Sequence, residues 1–132
     1  MHELALSEGI LEMLETRARE AGIGSIQRVV LEVGALAGVE VESLQFCFDA
    51  VTRGSLAEGA ELVIVPLPAI GLCRGCRVTF PLHHQLSECP RCGAMGARLV
   101  EGTELRLREF EGESSQVAPS LLAANQKKSL SL

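Results

Sequence analysis

Two C-x-x-C pairs constrain the fold of this chain more than any other feature of its sequence. They read Cys73-Arg-Gly-Cys76 and Cys89-Pro-Arg-Cys92, with twelve residues between them. Each pair places two thiolates on one side of a tight turn, and two such turns supply the four donors that tetrahedral zinc requires. Because four thiolates leave no open coordination position, the sequence predicts one structural zinc ion rather than a catalytic one.

Other chemistries use similar cysteine pairs. A four-cysteine site can hold a single iron ion, and the pairs could also form a redox dithiol or two disulfides. Disulfides are disfavoured because the chain has five cysteines, an odd number, and its start, MHELALSEGI, lacks a signal-peptide pattern. No segment approaches the 18 or so apolar residues of a membrane span. We therefore expect a cytoplasmic protein with no membrane partner, in which paired cysteines bind a metal.

The segment around the cysteines differs in composition from the rest of the chain. Residues 69–100 are rich in Cys, Gly, Pro and His and show no extended hydrophobic periodicity, so we expect a separate zinc-binding module there. Gly75 and Gly93 are predicted to supply unusual backbone angles at the two turns. His83 and His84 have two interpretations: exposed hairpin residues, or donors or pH-sensitive groups near a second metal.

Periodicity predicts the elements outside this module. A helix is expected over 7–21, with Ser7 as its N-cap and Gly22 as its C-cap. A strand follows over 26–33, a second helix over 41–52 and further strands over 62–65 and 104–108. The module is therefore inserted between the second and third strands of one α/β core. The fifth cysteine, Cys47, is predicted to be a buried apolar thiol in the second helix.

Composition excludes several classes of function. A net charge of −5, a pI near 5.2, and four Phe with no Trp or Tyr argue against a nucleic-acid partner. The sequence contains no Gly-rich phosphate loop, nucleophile elbow or H-E-x-x-H motif, so we do not expect an enzyme. One function that the composition leaves open is that of a zinc-ribbon adaptor, a protein that mediates protein–protein contacts and binds zinc alone.

The first residues carry a second metal signal. With histidine at position 2, one ion can take the terminal amine of Met1, the deprotonated amide nitrogen of His2 and its imidazole in fused chelate rings. Such nitrogen donor sets suit Ni(II) or Cu(II). On its own the signal is weak, because a histidine near a frayed terminus is common.

These features occur together in one known family. Met1-His2-Glu3-Leu4, RVVLEVG (28–34), GVEVESLQFCFDAVTRGSLAEGAEL (38–62) and the four cysteines, in this order, resemble the HypA/HybF family of hydrogenase-maturation nickel metallochaperones. The resemblance implies an α+β fold, a nickel-binding domain of two helices on a three-stranded mixed sheet with an inserted four-cysteine zinc-ribbon-like module. We expect this domain over 1–68 and 101–112, the zinc module over 69–100 and a disordered tail over 113–132.

The resemblance also implies a function. Members deliver Ni(II), as transferred cargo, for maturation of the [NiFe]-hydrogenase large subunit, together with a HypB-type GTPase, and in some organisms they serve urease maturation. The family's nickel ligands carry over to Met1, His2 and Glu3. For Glu3, a backbone amide role and a supporting carboxylate role are equally consistent. The structural zinc ligands carry over to the four cysteines, and the oligomeric state, monomer or dimer, stays open.

Overall fold

The computed structural model describes residues 2–84, 86–115 and 127–131, the last of these as backbone. Within these ranges, two helices and seven strands follow in the order α1 (Glu3–Ala21), β1 (Ile23–Gly34), α2 (Val41–Val51), β2 (Glu61–Leu67), β3 (Ile70–Leu72), β4 (Thr79–Pro81), β5 (Arg98–Glu101), β6 (Leu105–Ser114) and β7 (Lys127–Ser131). Neither helix has the length and apolarity needed to cross a bilayer, as far as the chain is described.

The strands form two sheets. One has the order β2-β1-β6-β7, and the smaller one has the order β4-β3-β5. The three strands predicted from periodicity are β1, β2 and β6, and they are adjacent in the larger sheet, which confirms the α+β prediction of two helices with a three-stranded core. The fourth strand, β7, extends that sheet beyond what the sequence predicted.

The first helix begins four residues earlier than predicted. Glu3 is its first residue, and Ser7 is a fully buried residue of the second turn whose hydroxyl donates to the Leu44 carbonyl of α2 at 3.4 Å. The capping preference of serine is overridden here because a small polar side chain fits between two packed helices. The other end of α1 is as predicted, since Gly22 has φ 70° and its N–H donates to the carbonyls of Ala18 and Arg19.

The two helices run in the same direction where they meet. Ser7 contacts Leu44 of α2, and Glu3, one turn earlier on α1, contacts Glu40, the residue that directly precedes α2. Burying each large apolar side chain of this core contributes about 1.5–3 kcal/mol. The largest fully buried apolar side chains are Phe48, Phe110, Leu14, Leu31, Leu44 and Val29.

The chain divides into two compact units. One covers residues 1–31, 40–64 and 107–132, and the other covers 32–39 and 65–106. The second unit contains all four paired cysteines and is wider than the predicted 69–100, because it also includes strand ends on either side. Its own small core consists of Ala69, Cys73, Phe80, Leu82 and Cys89.

The end of the chain differs from the predicted disordered tail. Glu113 and Ser114 are the last residues of β6, and Lys127–Ser131 forms β7, which pairs antiparallel with Glu109–Glu113. Residues 116–126 and 132 lie outside the described residues. Periodicity missed β7 because a strand can pair with a sheet edge through its backbone without a clear apolar alternation.

Gly34, the last residue of β1, provides a test of the close packing in the second unit. Its N–H donates to the Glu104 carbonyl at 2.7 Å, and a Cβ at this position would collide with the backbone of Gly102. We expect Gly34→Ala to lower the free energy of unfolding by about 1–3 kcal/mol, measured by urea denaturation. The control is Gly9→Ala on the exposed face of α1, where a Cβ has open space, and it should raise stability by about 0.5–1 kcal/mol. Equal effects of the two substitutions would contradict the packing described.

Candidate metal centres

The two cysteine turns are held by the same backbone hydrogen bonds. In the first turn, the Cys73 N–H donates to the Val78 carbonyl at 2.9 Å and the Arg77 N–H donates to the Cys73 carbonyl at 3.1 Å. The second turn repeats these bonds at the same spacings, from Cys89 to Ala94 at 2.9 Å and from Gly93 to Cys89 at 2.8 Å. Each C-x-x-C pair therefore has the same hydrogen-bonded turn.

The four sulfur atoms converge on one point between these turns. All lie within 4.8 Å of one another, with Cys73 Sγ 3.5 Å from Cys92 Sγ and Cys76 Sγ 3.6 Å from Cys89 Sγ. Tetrahedral zinc with bonds of about 2.3 Å requires sulfur–sulfur edges of roughly 3.8 Å. The donor set therefore fits a tetrahedral metal, and each close pair joins one turn to the other.

The cysteines are thiols, not disulfides. A disulfide requires a sulfur–sulfur distance of about 2.05 Å, and all five cysteines of the chain are unbridged. The two disulfides considered from the sequence are therefore absent. The four thiols are instead placed so that they could bind one metal ion. Within the described residues, these four cysteines are also the only group of three or more His, Cys, Asp or Glu side chains arranged to hold an ion.

Backbone N–H groups point at the sulfur atoms and favour their thiolate forms. The Cys76 N–H lies 3.4 Å from Cys73 Sγ, and the N–H groups of Arg91 and Cys92 each lie 3.4 Å from Cys89 Sγ. The N–H groups of Cys76 and Gly75 lower the pKa of Cys73 to about 6.

The other thiol pKa values depend on the same balance between N–H donors and burial. For Cys89, the Cys92 N–H lowers the pKa and outweighs the opposing effect of burial. For Cys76, the Val78 N–H lowers the pKa, but burial and the neighbouring thiols of Cys89 and Cys73 together raise it to about 11. Four adjacent thiolates would repel one another, so the cluster does not readily lose all four protons. A bound cation would offset this repulsion and keep all four sulfur atoms as thiolates.

Only one of the two predicted glycine conformations is present. Gly93 has φ 76°, whereas Gly75 is not in the left-handed region. The residue with a positive φ in the first turn is Arg77, at 67°, which occupies the position equivalent to Gly93. The prediction for Gly75 is therefore wrong, since the left-handed residue follows each C-x-x-C pair rather than lying within it.

The remaining candidates in this unit are more exposed. His83 and His84 are both exposed, and neither belongs to the four-thiol group. Their N–H groups each donate to the Ser87 hydroxyl at 3.2 Å, and His84 Nδ1 accepts the Leu86 N–H at 3.1 Å. Both histidines therefore belong to a hydrogen-bonded surface loop.

Cys47 also differs from its prediction, because it is half-buried in α2 rather than fully buried. Its neighbour Phe48 takes the core position instead.

Two of the three N-terminal candidates, His2 and Glu3, are in contact at the start of α1. Met1 lies outside the described residues, and His2 is exposed, with its carbonyl accepting the Leu6 N–H at 2.9 Å. Glu3 is 5% exposed, and its Oε2 lies 3.2 Å from His2 Nδ1. The same oxygen accepts the Glu40 N–H just before α2, at 3.2 Å. One carboxylate thus contacts both the predicted nickel-binding histidine and the N–H of the residue that precedes the second helix.

The environment of Glu3 keeps this carboxyl ionised. Hydrogen bonding with the terminal amine, followed in size by that from the Glu40 N–H, lowers the pKa of Glu3 to about 2, against the effect of burial. Because the first N–H groups of a helix have no intrahelical partner, a metal that takes an amide nitrogen here breaks no helical hydrogen bond. Sequence reasoning did not identify the contact with Glu40, which is distant along the chain.

The glycines of the two turns provide a matched test. Gly93→Ala should lower the free energy of unfolding, measured with zinc in the buffer, by about 1 kcal/mol, because alanine is strained at φ 76°. Gly75→Ala should lower the free energy of unfolding by less than about 0.5 kcal/mol. Its added Cβ would lie 3.8 Å from two sulfur atoms, which is an ordinary van der Waals contact. Denaturant unfolding compares the two, and a larger loss for Gly75→Ala would contradict the backbone geometry.

Comparison with known proteins gives consistent results. The family model described as "HypA: Hydrogenase/urease nickel incorporation, metallochaperone, hypA" matches residues 1–112. The hydrogenase maturation factor HypA of Azotobacter chroococcum mcd 1 is 48% identical over 113 residues, which are 86% of this chain and 100% of the relative. Its counterpart from Azotobacter vinelandii is 46% identical with the same coverage.

Solved structures share the fold. The solution structure of the Ni metallochaperone HypA from Helicobacter pylori matches with a TM-score of 0.61 and 23% identity, covering 83% of this chain and 96% of that one. A second solution structure, of a HypA protein, matches with a TM-score of 0.62 and 24% identity, covering 83% and 94%. Taken with the family model and the sequence relatives, these matches show that this chain belongs to the HypA family.

Proposed function

We propose that this chain is a nickel metallochaperone that binds Ni(II) at its N-terminus and delivers it for maturation of the [NiFe]-hydrogenase large subunit. The observation that supports this most directly is the His2–Glu3 contact at the start of α1, in a chain that belongs to a nickel-incorporation family. The nickel ion is cargo, so its site must release the metal as well as bind it.

The proposed ligands are the Met1 amine, the His2 amide nitrogen and imidazole, and Glu3 through its amide or its carboxylate. The amine and the His2 amide close a five-membered chelate ring, and the His2 amide and Nδ1 close a six-membered one. Nδ1 lies 3.2 Å from the Glu3 carboxylate, so nickel must take the place of this contact. The carboxylate then stays beside the ion as a ligand or as a hydrogen-bond acceptor.

This arrangement suits transfer. Most donors are backbone or terminal groups that must lose a proton to bind, so acid favours release. At the same time, the Glu40 N–H holds the Glu3 carboxylate in place, so the site is partly organised before the metal arrives. A site at the chain terminus, with the Glu3 carboxylate already held in place, can pass its ion to a partner as the partner's ligands replace the site's ligands one at a time.

We assign structural zinc to Cys73, Cys76, Cys89 and Cys92. The support for this is the close match between their sulfur spacing and a tetrahedral ion. Zinc there would hold together a unit whose apolar core is small. The partners we propose are a HypB-type GTPase and the hydrogenase large subunit, with urease maturation proteins as a further recipient.

Nickel titration tests the terminal site. We expect the unmodified chain to bind one Ni(II), His2→Ala to lose about two orders of magnitude in affinity, and a chain with one extra residue before Met1 to lose a similar amount. The extra residue keeps every side chain but moves the terminal amine out of the chelate. Isothermal titration in a non-coordinating buffer measures all three. Equal affinities would mean that nickel binds elsewhere, and zinc binding without any nickel response would favour the adaptor.

The effect of Glu3 on nickel affinity can be measured separately from the pH dependence of nickel release, which comes from the other ligands. A carboxyl whose pKa is lowered from 4.5 to about 2 contributes its stabilising charge above about pH 4.5 and loses it as the pH falls through 2. Between pH 5 and 8 it therefore stays ionised. We expect Glu3→Gln to weaken nickel binding about tenfold but to leave the pH midpoint of nickel release unchanged. Glu12→Gln, on the exposed side of α1, is the control and should change neither quantity. A shifted midpoint in Glu3→Gln would contradict this role.

A further inference from the structure

The last described strand of the chain lies on the outer edge of β6. β7 pairs antiparallel with Glu109–Glu113, so that Lys127 lies across from Glu113 and Leu130 across from Phe110. The two Azotobacter relatives match this chain along their whole length over only 113 residues. β7 is therefore an addition to the fold that these relatives share with this chain.

An uncovered edge strand offers a row of backbone N–H and C=O groups to any extended segment. The backbone bonds supply affinity, and the side chains at alternate positions select which segment binds. The covered part of β6 has a glutamate at every second position, Glu109, Glu111 and Glu113. Such an edge selects its partner strand by charge.

Nearby arginines already partner two of these three acids. Arg28 of β1 donates to Glu111 at 3.0 Å, and Arg108 Nε lies 3.9 Å from Glu109. Glu113 is exposed, near the end of β6, and Lys127 is the residue directly opposite. A cation across from Glu113 is thus the main charge requirement of this edge.

A second copy of the chain fits the edge poorly. Two β6 strands paired antiparallel would bring rows of glutamates into register, and like charges directly opposite each other disfavour pairing. A segment with basic residues followed by an apolar one fits better. The chain's own Lys127-Lys128-Ser129-Leu130-Ser131 has this composition.

We propose that Glu109–Glu113 of β6 is a docking edge for a basic extended segment of a partner protein, and that Lys127–Ser131 is its resident competitor in the same chain. The partner segment needs a cation across from Glu113 and an apolar residue across from Phe110. A tethered strand has an effective concentration in the millimolar range. The partner segment must therefore bind the edge tightly enough to displace Lys127–Ser131 at that concentration. This docking edge shares no residue with the proposed nickel site.

A peptide with the sequence of residues 125–132, carrying a fluorophore, serves as the probe. Fluorescence anisotropy compares the full chain with a chain that ends at Ser115, a length that includes the whole region matched by the family model. We expect saturable binding to the shorter chain and a Kd about tenfold higher for the full chain. Equal binding to both chains would overturn the proposal. So would the absence of binding to a shorter chain that circular dichroism shows to be folded, or dimerisation of that shorter chain.

A charge swap tests the register. The Lys127→Glu version of the peptide should bind the shorter chain about threefold more weakly than the original, and Glu113→Lys in the protein should reverse that order. Should the shorter chain fail to fold, the full chain with Lys127→Glu and Lys128→Glu replaces it. There the tethered strand is weakened, and the original peptide should bind more tightly than it does to the unmodified chain. An unchanged Kd in that variant would overturn the proposal.

Discussion

The convergence of four cysteine sulfur atoms is the constraint on which the second unit depends. Two of its five buried core residues, Cys73 and Cys89, belong to this cysteine cluster. The other three are Ala69, Phe80 and Leu82. The two close sulfur pairs each join one turn to the other, so a bound ion closes the unit across its width. The fold of the unit and its metal site are therefore one structure, as expected of a module too small for a large apolar core.

The Glu3 carboxylate has a comparable role at the proposed nickel site. It is buried, ionised, and shared between His2 of the terminus and the N–H of Glu40 before α2. A buried charge without partners would be costly, and here each contact partly offsets that cost. As a consequence, His2 and Glu3 do not form a free peptide attached to the fold, because the Glu3 carboxylate contacts the N–H group that precedes α2. A metal bound at these residues would lie beside the contact between the two helices.

The sequence was most informative where local chemistry decides the structure. Paired cysteines, Gly22 at a helix end and the alternation in β6 predicted the metal cluster, the helix boundary and the third core strand. It failed where distant packing decides. Ser7 has the features of a cap but is buried against Leu44, and the Glu3–Glu40 contact joins residues far apart in the chain. Gly75 was predicted to have an unusual backbone angle because glycine is flexible. The left-handed residue of the first turn is instead Arg77, whose N–H donates to the Cys73 carbonyl within the turn. Within β7, Leu130 is the one apolar residue, which is too little alternation to predict a strand, and the pairing with β6 was not visible from the sequence.

We propose that two metals occupy two separate sites of different chemistry in this chain. X-ray absorption at the nickel and zinc edges of the full chain, loaded with one equivalent of each metal, tests this claim most directly. We expect zinc surrounded by four sulfur atoms at about 2.3 Å, and nickel surrounded by nitrogen and oxygen with an imidazole signature and no sulfur. Nickel bound to sulfur, or zinc without four sulfur ligands, would contradict the separation of cargo and structural metal.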